Sequence, residues 1–208
     1  MPIETGDFLI FLVAALSLNL TPGNDMMFVI GQSLKGGLRT GIAASLGIAT
    51  GSLVHLALVA LGAAVVLAQH PSLFQAIRYA GAAYLVWMAF DTLRSGGAAF
   101  RASAASRSAF EAWRDGTVVN ILNPKIIVFF FAFLPPFVRP ELGSPLLQLV
   151  IYGLAFNISG TLVNFGVSAM AGKAVNVISS NVKITKAFTY FSAVVFLVLA
   201  ARMVFDAA

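Results

Sequence analysis

Two prolines constrain this chain more than any other residues. Each lies beside a charge, inside a stretch otherwise apolar enough to cross a membrane. The first stretch reads Leu18-Asn19-Leu20-Thr21-Pro22-Gly23-Asn24-Asp25, and the second Asn120-Ile121-Leu122-Asn123-Pro124-Lys125. Proline removes a donor and breaks the helical ladder, and lipid cannot satisfy the backbone groups this frees. A charge at the bilayer centre costs about 2.5–3.5 kcal/mol even on the lenient insertion scale. Such breaks persist only where they face protein or a water-filled cavity. Two of them, in corresponding parts of two halves, point to the binding site of a transporter.

The membrane reading rests on composition as well. Apolar residues make up 59% of the 208 positions and charged residues 10%, where a soluble domain carries about 25% charged residues. There are no cysteines, so disulfide frameworks and thiolate metal sites are excluded. The start, Met1-Pro2-Ile3-Glu4-Thr5-Gly6-Asp7, is acidic where a cleaved leader wants basic residues, so the first apolar segment is expected to be retained.

About 20 apolar residues cross the hydrocarbon core. Six segments meet that length: Phe8–Leu34, Gly41–Ala68, Leu73–Leu93, Thr117–Val138, Leu146–Ala171 and Ala187–Phe205. Nine basic residues fall in or beside the first, third and fifth connectors: Lys35, Arg39, Arg94, Arg101, Arg107, Arg114, Lys173, Lys183 and Lys186. Three, Arg78, Arg139 and Arg202, fall on the other side. The positive-inside rule then puts the first, third and fifth connectors in the cytoplasm and both termini outside. The net charge of +5 and pI near 9.9 become a topology signal rather than a nucleic-acid footprint.

The expected fold is an all-α integral membrane protein, a single transporter domain over residues 1–208. The first half, 1–94, and the second, 117–208, each hold three spans, joined by a cytoplasmic connector over 95–116. Because three is odd, the halves have opposite orientation, which is an inverted repeat with helices 1 and 4 broken at Pro22 and Pro124. With Leu34 and Thr117 as cytoplasmic ends, Asp25 and Lys125 each lie about 12–14 Å into the membrane at 1.5 Å per residue. In the connector, Phe100, Phe110 and Trp113 are placed to rest at the interface while the arginines meet anionic lipid, or the segment is simply a flexible basic loop.

Two readings of the charges stay open. Asp25 and Lys125 form a permanent interhelical lock, or Asp25 binds a cationic substrate group or a coupling proton while Lys125 receives a carboxylate or tunes Asp25. Asn19, Thr21 and Asn24 surround one break, and Asn120 and Asn123 the other. A half-helix start offers N–H groups to a carboxylate, and a half-helix end offers carbonyls to an ammonium. That pair of dipole ends fits a zwitterion such as an amino acid.

His55, alone in the second span, either relays protons or packs as a hydrogen-bonded core residue. Asn157 and Asn164 share one helical face, lining the pathway or joining helices. Gly41, Gly47, Gly51, Gly153, Gly160 and Gly166 read as close-packing positions. Phe129, Phe130, Phe131 and Phe133 read as lipid-facing bulk, and Tyr79, Tyr84 and Trp87 as ordinary core or interface aromatics. No phosphate loop, nucleophile set or metal-catalytic cluster is present, so an enzyme is not expected.

Several motifs together resemble the lysine exporter (LysE/RhtB) superfamily of small bacterial inner-membrane amino-acid efflux proteins. They are Thr21-Pro22-Gly23-Asn24-Asp25, Gln32-Ser33-Leu34-Lys35-Gly36-Gly37 and Gly41-Ile42-Ala43-Ala44-Ser45-Leu46-Gly47-Ile48-Ala49-Thr50-Gly51. Gly81-Ala82-Ala83-Tyr84-Leu85, Asn120 to Lys125 and Phe131-Ala132-Phe133-Leu134-Pro135-Pro136-Phe137 follow. The usual pattern is Pro-Gly-Pro-Asp. Here Asn24 replaces the second proline, which loosens the turn and adds a donor.

The resemblance implies export of amino acids or close analogues, coupled to protons, from the cytoplasm across the bacterial inner membrane. Members handle lysine and arginine, homoserine and threonine, or leucine-like substrates, and related branches are tied to cadmium. The substrate contacts expected on this chain are Asn19, Thr21, Pro22, Gly23, Asn24, Asp25, Asn120, Asn123, Pro124, Lys125 and Asn157. Asp25 and His55 are expected to couple protons. No cofactor, metal or nucleic acid is expected; membrane lipid is, and the glycine faces permit a homodimer. Heavy-metal efflux and a non-transporting scaffold are the competing readings. The lack of cysteine counts against a soft cation.

Overall fold

A computed structural model describes residues 3–69, 71–95, 108–171 and 182–205. They are mostly helical, with no strand among the described residues. In chain order the helices are α1 (Thr5–Leu20), α2 (Asn24–Gln69), α3 (Pro71–Ser95), α4 (Ala109–Ile121), α5 (Pro124–Val128), α6 (Pro145–Ala169) and α7 (Val182–Phe205). Stretches 24–62 and 145–169 are long and apolar enough to cross a membrane, and α4 with the segment 124–137 makes a third such span if counted as one bent element. This is the pattern of a multi-pass membrane protein.

Both expected breaks exist. α1 ends at Leu20 and α2 begins at Asn24, so Thr21, Pro22 and Gly23 separate two helical limbs. α4 ends at Ile121 and α5 begins at Pro124, with a 55° bend between the limbs. Proline at the first helical position wastes no hydrogen bond, because that N–H has no intrahelical partner anyway.

The first connector is shorter than its sequence implies. A straight helix of 46 residues would run about 69 Å, more than twice the hydrocarbon thickness. Gly37 interrupts it with φ 79° and ψ −175°, a conformation open to glycine and closed to side chains with a Cβ. The chain folds back there. A Cβ on Gly41 would run into the Ser33 hydroxyl, although eight residues of straight helix would hold them about 12 Å apart. Thr40 Oγ1 clamps the reversal by donating to the carbonyls of Gln32 (2.8 Å) and Gly37 (2.9 Å).

The expected boundary of the fourth span, Thr117, is also moved. The helix starts eight residues earlier, because Ser108 and Glu111 form a reciprocal capping box that satisfies two orphan N–H groups. Residues 109–116 of the expected connector are therefore helical, while 96–107, including Phe100, lie outside the described residues.

α2 packs against α4 and α6, α1 against α6, and α3 against α7. The α2–α4 crossing is close because Gly47 lets the carbonyl of Trp113 approach its Cα, and Gly116 does the same for Ala44. Gly166 has open space beside it and makes no such contact.

The phenylalanine run is corrected. Phe129, Phe130 and Phe133 are buried and only Phe131 is exposed. Phe129 and Phe133 pack on Phe11, Phe133 on Phe137, and Phe129 and Phe130 on Phe156, with the Phe129 and Phe156 ring centroids 4.1 Å apart. Residues 129–133 form a π-helical turn, with Leu134 N donating to the Phe129 carbonyl at 2.9 Å. The wider turn shifts the angular spacing of side chains, which lets three of these four rings face inward. Helices in lipid gain no water-exclusion term by meeting, so this ring packing and the glycine contacts carry their association.

Candidate functional site

Each limb that follows a break begins with a charge at the same place. Asp25 is the second residue of α2 and Lys125 the second of α5. A carboxylate suits a helix N-terminus and an ammonium does not. The Lys125 side chain accordingly reaches to the other break, where Nζ donates to the carbonyls of Leu18 (2.7 Å) and Thr21 (3.0 Å). These carbonyls lie at the C-terminal end of α1, where that of Leu18 also accepts from the Thr21 N–H at 3.2 Å. The second break is thus bolted to the first by a charge-assisted cap.

The reverse connection runs from Asn120, in the last turn of α4, whose Nδ2 donates to Asp25 Oδ2 at 2.9 Å. Asn123 caps α5, its Oδ1 accepting from Lys125 N at 3.1 Å. No direct Asp25–Lys125 ion pair within 4.0 Å forms among the described residues. The carboxylate is held by an amide and the ammonium by main-chain oxygen.

Between the two breaks lies a small cavity walled by residues from both of them. Of the residues expected to touch substrate, Asn19, Thr21, Gly23, Asp25, Asn120, Asn123, Lys125 and Asn157 line it. Pro22, Asn24 and Pro124 do not; Asn24 and Pro124 are exposed. The prolines shape the breaks without forming the wall, and Asn24 stands outside it.

Asn19 Nδ2 donates to Ser159 Oγ (3.1 Å) and the Phe156 carbonyl (3.4 Å), tying the end of α1 to α6. Asn157 Nδ2 donates to the Ala49 carbonyl at 2.8 Å. His55 is buried behind this wall. Its ring stacks on Phe130 and its Nε2 lies 3.3 Å from the Asn120 carbonyl. It is in contact with the residue that holds Asp25.

The sequence reasoning missed Ser52, Thr161 and the apolar wall of Met26, Ile48, Ala49, Ile126 and Phe156. A signal was present. Ile48, Ala49 and Ser52 share one face of α2, and Asn157, Gly160, Thr161 and Asn164 follow the i, i+3, i+4, i+7 rhythm on α6. A polar stripe on a helix this apolar marks the side turned away from lipid.

Comparison with known proteins gives the family. The profile of the LysE type translocator family matches residues 16–207. The chain is 30% identical over 162 residues to the homoserine/homoserine lactone efflux protein of Salmonella typhimurium, covering 77% of this chain and 78% of that protein. It is 31% identical over 169 residues to a membrane protein of Vibrio cholerae, covering 80% and 81%. It is 28% identical over 158 residues to the leucine efflux protein of Klebsiella pneumoniae, covering 73% of each. No solved structure matches the chain.

Proposed function

Because the chain belongs to the LysE type translocator family, we propose that it exports a small amino acid or close analogue from the cytoplasm by proton antiport, and is not an enzyme. The observation that carries this is the shared cavity, built from both breaks and holding one carboxylate beside one ammonium. A zwitterion meets complementary groups there. The N–H groups at the start of α2, where Gly23 offers no capping side chain, suit a carboxylate, and Asp25 suits an ammonium. The apolar wall suits an uncharged side chain, as in the substrates named for the homoserine and leucine efflux relatives.

Antiport follows if a proton and the substrate ammonium compete for Asp25, with His55 contacting Asn120 behind it. Six spans, arranged as two inverted three-helix halves in the inner membrane with both termini outside, supply the alternating access. In support, both halves carry a broken helix with a charge at the second position after the break.

The test is flux. Purified protein in proteoliposomes is supplied with labelled homoserine or leucine under an imposed pH gradient. Gradient-dependent movement of either, abolished by a protonophore, is expected. Movement unaffected by the gradient would reject antiport, and no movement of either would reject the exporter reading for these substrates.

A further inference from the structure

Most buried serines among the described residues turn their hydroxyl back onto their own helix. Ser17, Ser33, Ser45 and Ser168 each donate to the carbonyl four residues earlier, at 2.7–2.9 Å. Ser52 does not. Its Oγ is buried, belongs to a residue on the cavity wall, and has no hydrogen-bond partner. Two further buried oxygens from the same wall share that state, Asp25 Oδ1 and Asn120 Oδ1. Buried polar atoms are nearly always satisfied, so three orphans on one cavity wall mark a place where something binds.

Their chemistry fixes what. Asp25 Oδ2 accepts from Asn120 Nδ2, so the amide must turn its NH₂ toward the carboxylate and keep its oxygen as an acceptor. A carboxylate oxygen accepts, an amide oxygen accepts, and an unengaged hydroxyl has lone pairs to offer. A primary ammonium has three N–H donors. The ammonium within the protein, on Lys125, is already engaged by Leu18 and Thr21.

We propose that Ser52, Asp25 and Asn120 form a three-acceptor seat for a primary ammonium group, with Ser52 as a specificity-determining residue. This rests on the export reading and narrows it. The seat selects by the number of N–H donors, so methylating the amine should exclude a compound even where its carboxylate and side chain are unchanged. The glycine beside Ser52 leaves room for the Asn120 amide. A Cβ at Gly51 would sit 2.8–2.9 Å from the Asn120 side chain and displace the amide.

The test is the thermal melt of the purified protein with homoserine and leucine, beside their N-methyl and N,N,N-trimethyl derivatives. Protection by the free amines, weaker protection by the N-methyl forms and none by the trimethyl forms is expected. Ser52→Ala should weaken the apparent affinity for the free amine about tenfold or more, the worth of a charge-assisted hydrogen bond. Ser52→Thr, which keeps the hydroxyl, should bind nearly as the parent does. Equal protection by the trimethyl forms would overturn the seat, as would equal protection by sodium or potassium ions, or no protection by either free amine. Should Ser52→Ala not fold, the methylation series on the parent protein decides alone. Flux without amine selectivity would reject the seat and leave the exporter standing. Selective binding without flux would do the opposite.

Discussion

Lys125 Nζ donates to the main-chain carbonyl of Leu18 at 2.7 Å, although 107 residues of chain separate them. The bond joins the helix that follows one break to the helix that precedes the other. It gives Lys125 a structural task that does not involve Asp25. Replacing Lys125 with Met keeps much of the length and leaves the carbonyls of Leu18 and Thr21 without their cap. Hydrogen bonds to a charged group contribute about 1.5–3 kcal/mol each, so the melting temperature of Lys125→Met should fall by several degrees, with or without Asp25. A melt unchanged from the parent would contradict this role.

Asn123 is the N-cap of α5, so Asn123→Ala should destabilise by about 0.5–2 kcal/mol, and Asn123→Ser or Asp should recover most of it. Equal losses for Ala and Ser would show that the cap is not the cause. The readout is chemical or thermal unfolding in detergent.

Gly47 is where α2 meets the Trp113 carbonyl. Gly47→Val would force α2 and α4 apart, and with them Asp25 and Asn120. Loss of folded protein or a strongly lowered melt is expected, whereas Gly166→Val, with open space around it, should leave the melt nearly unchanged. A tolerated Gly47→Val would mean that the crossing is looser than described.

The orientation is tested with single cysteines in this cysteine-free chain. Leu38 and Leu142 are both exposed, at 52% and 39%, and belong to connectors that the proposed topology puts on opposite sides. Leu38→Cys should react with a membrane-impermeant thiol reagent only when applied from the cytoplasmic side, and Leu142→Cys only from outside. The reverse pattern would invert the topology, and equal labelling of both from one side would break the odd-span argument.

Much of this site was legible in the sequence because membranes punish what soluble proteins tolerate. Proline beside charge in an apolar span has few structural explanations, so both breaks could be read directly, and eight of the eleven expected contacts reach the cavity. The misplaced details have local causes. Pro22 and Pro124 shape the backbone without lining the wall. The turn at Gly37 needed one glycine where a six-residue connector, 35–40, was expected. The phenylalanine run was misread because its inward aim depends on a π-helical turn, which leaves no mark in hydrophobic periodicity. Ser52 was overlooked because one serine in a helix usually bonds its own backbone; only its missing partner sets it apart.

The central claim is that a proton and the substrate ammonium compete for Asp25. The measurement that reaches it most directly is gradient-driven flux through Asp25→Asn in proteoliposomes, beside the parent and the double variant Asp25→Asn with Lys125→Met. Asparagine keeps size and hydrogen bonding, and because Lys125 is engaged with main-chain carbonyls, the single variant should insert and melt near the parent. Its flux should fall to background, and the double variant should not recover it. Full gradient-driven export by either variant would contradict the account; recovery in the double variant alone would identify Asp25 and Lys125 as a structural lock.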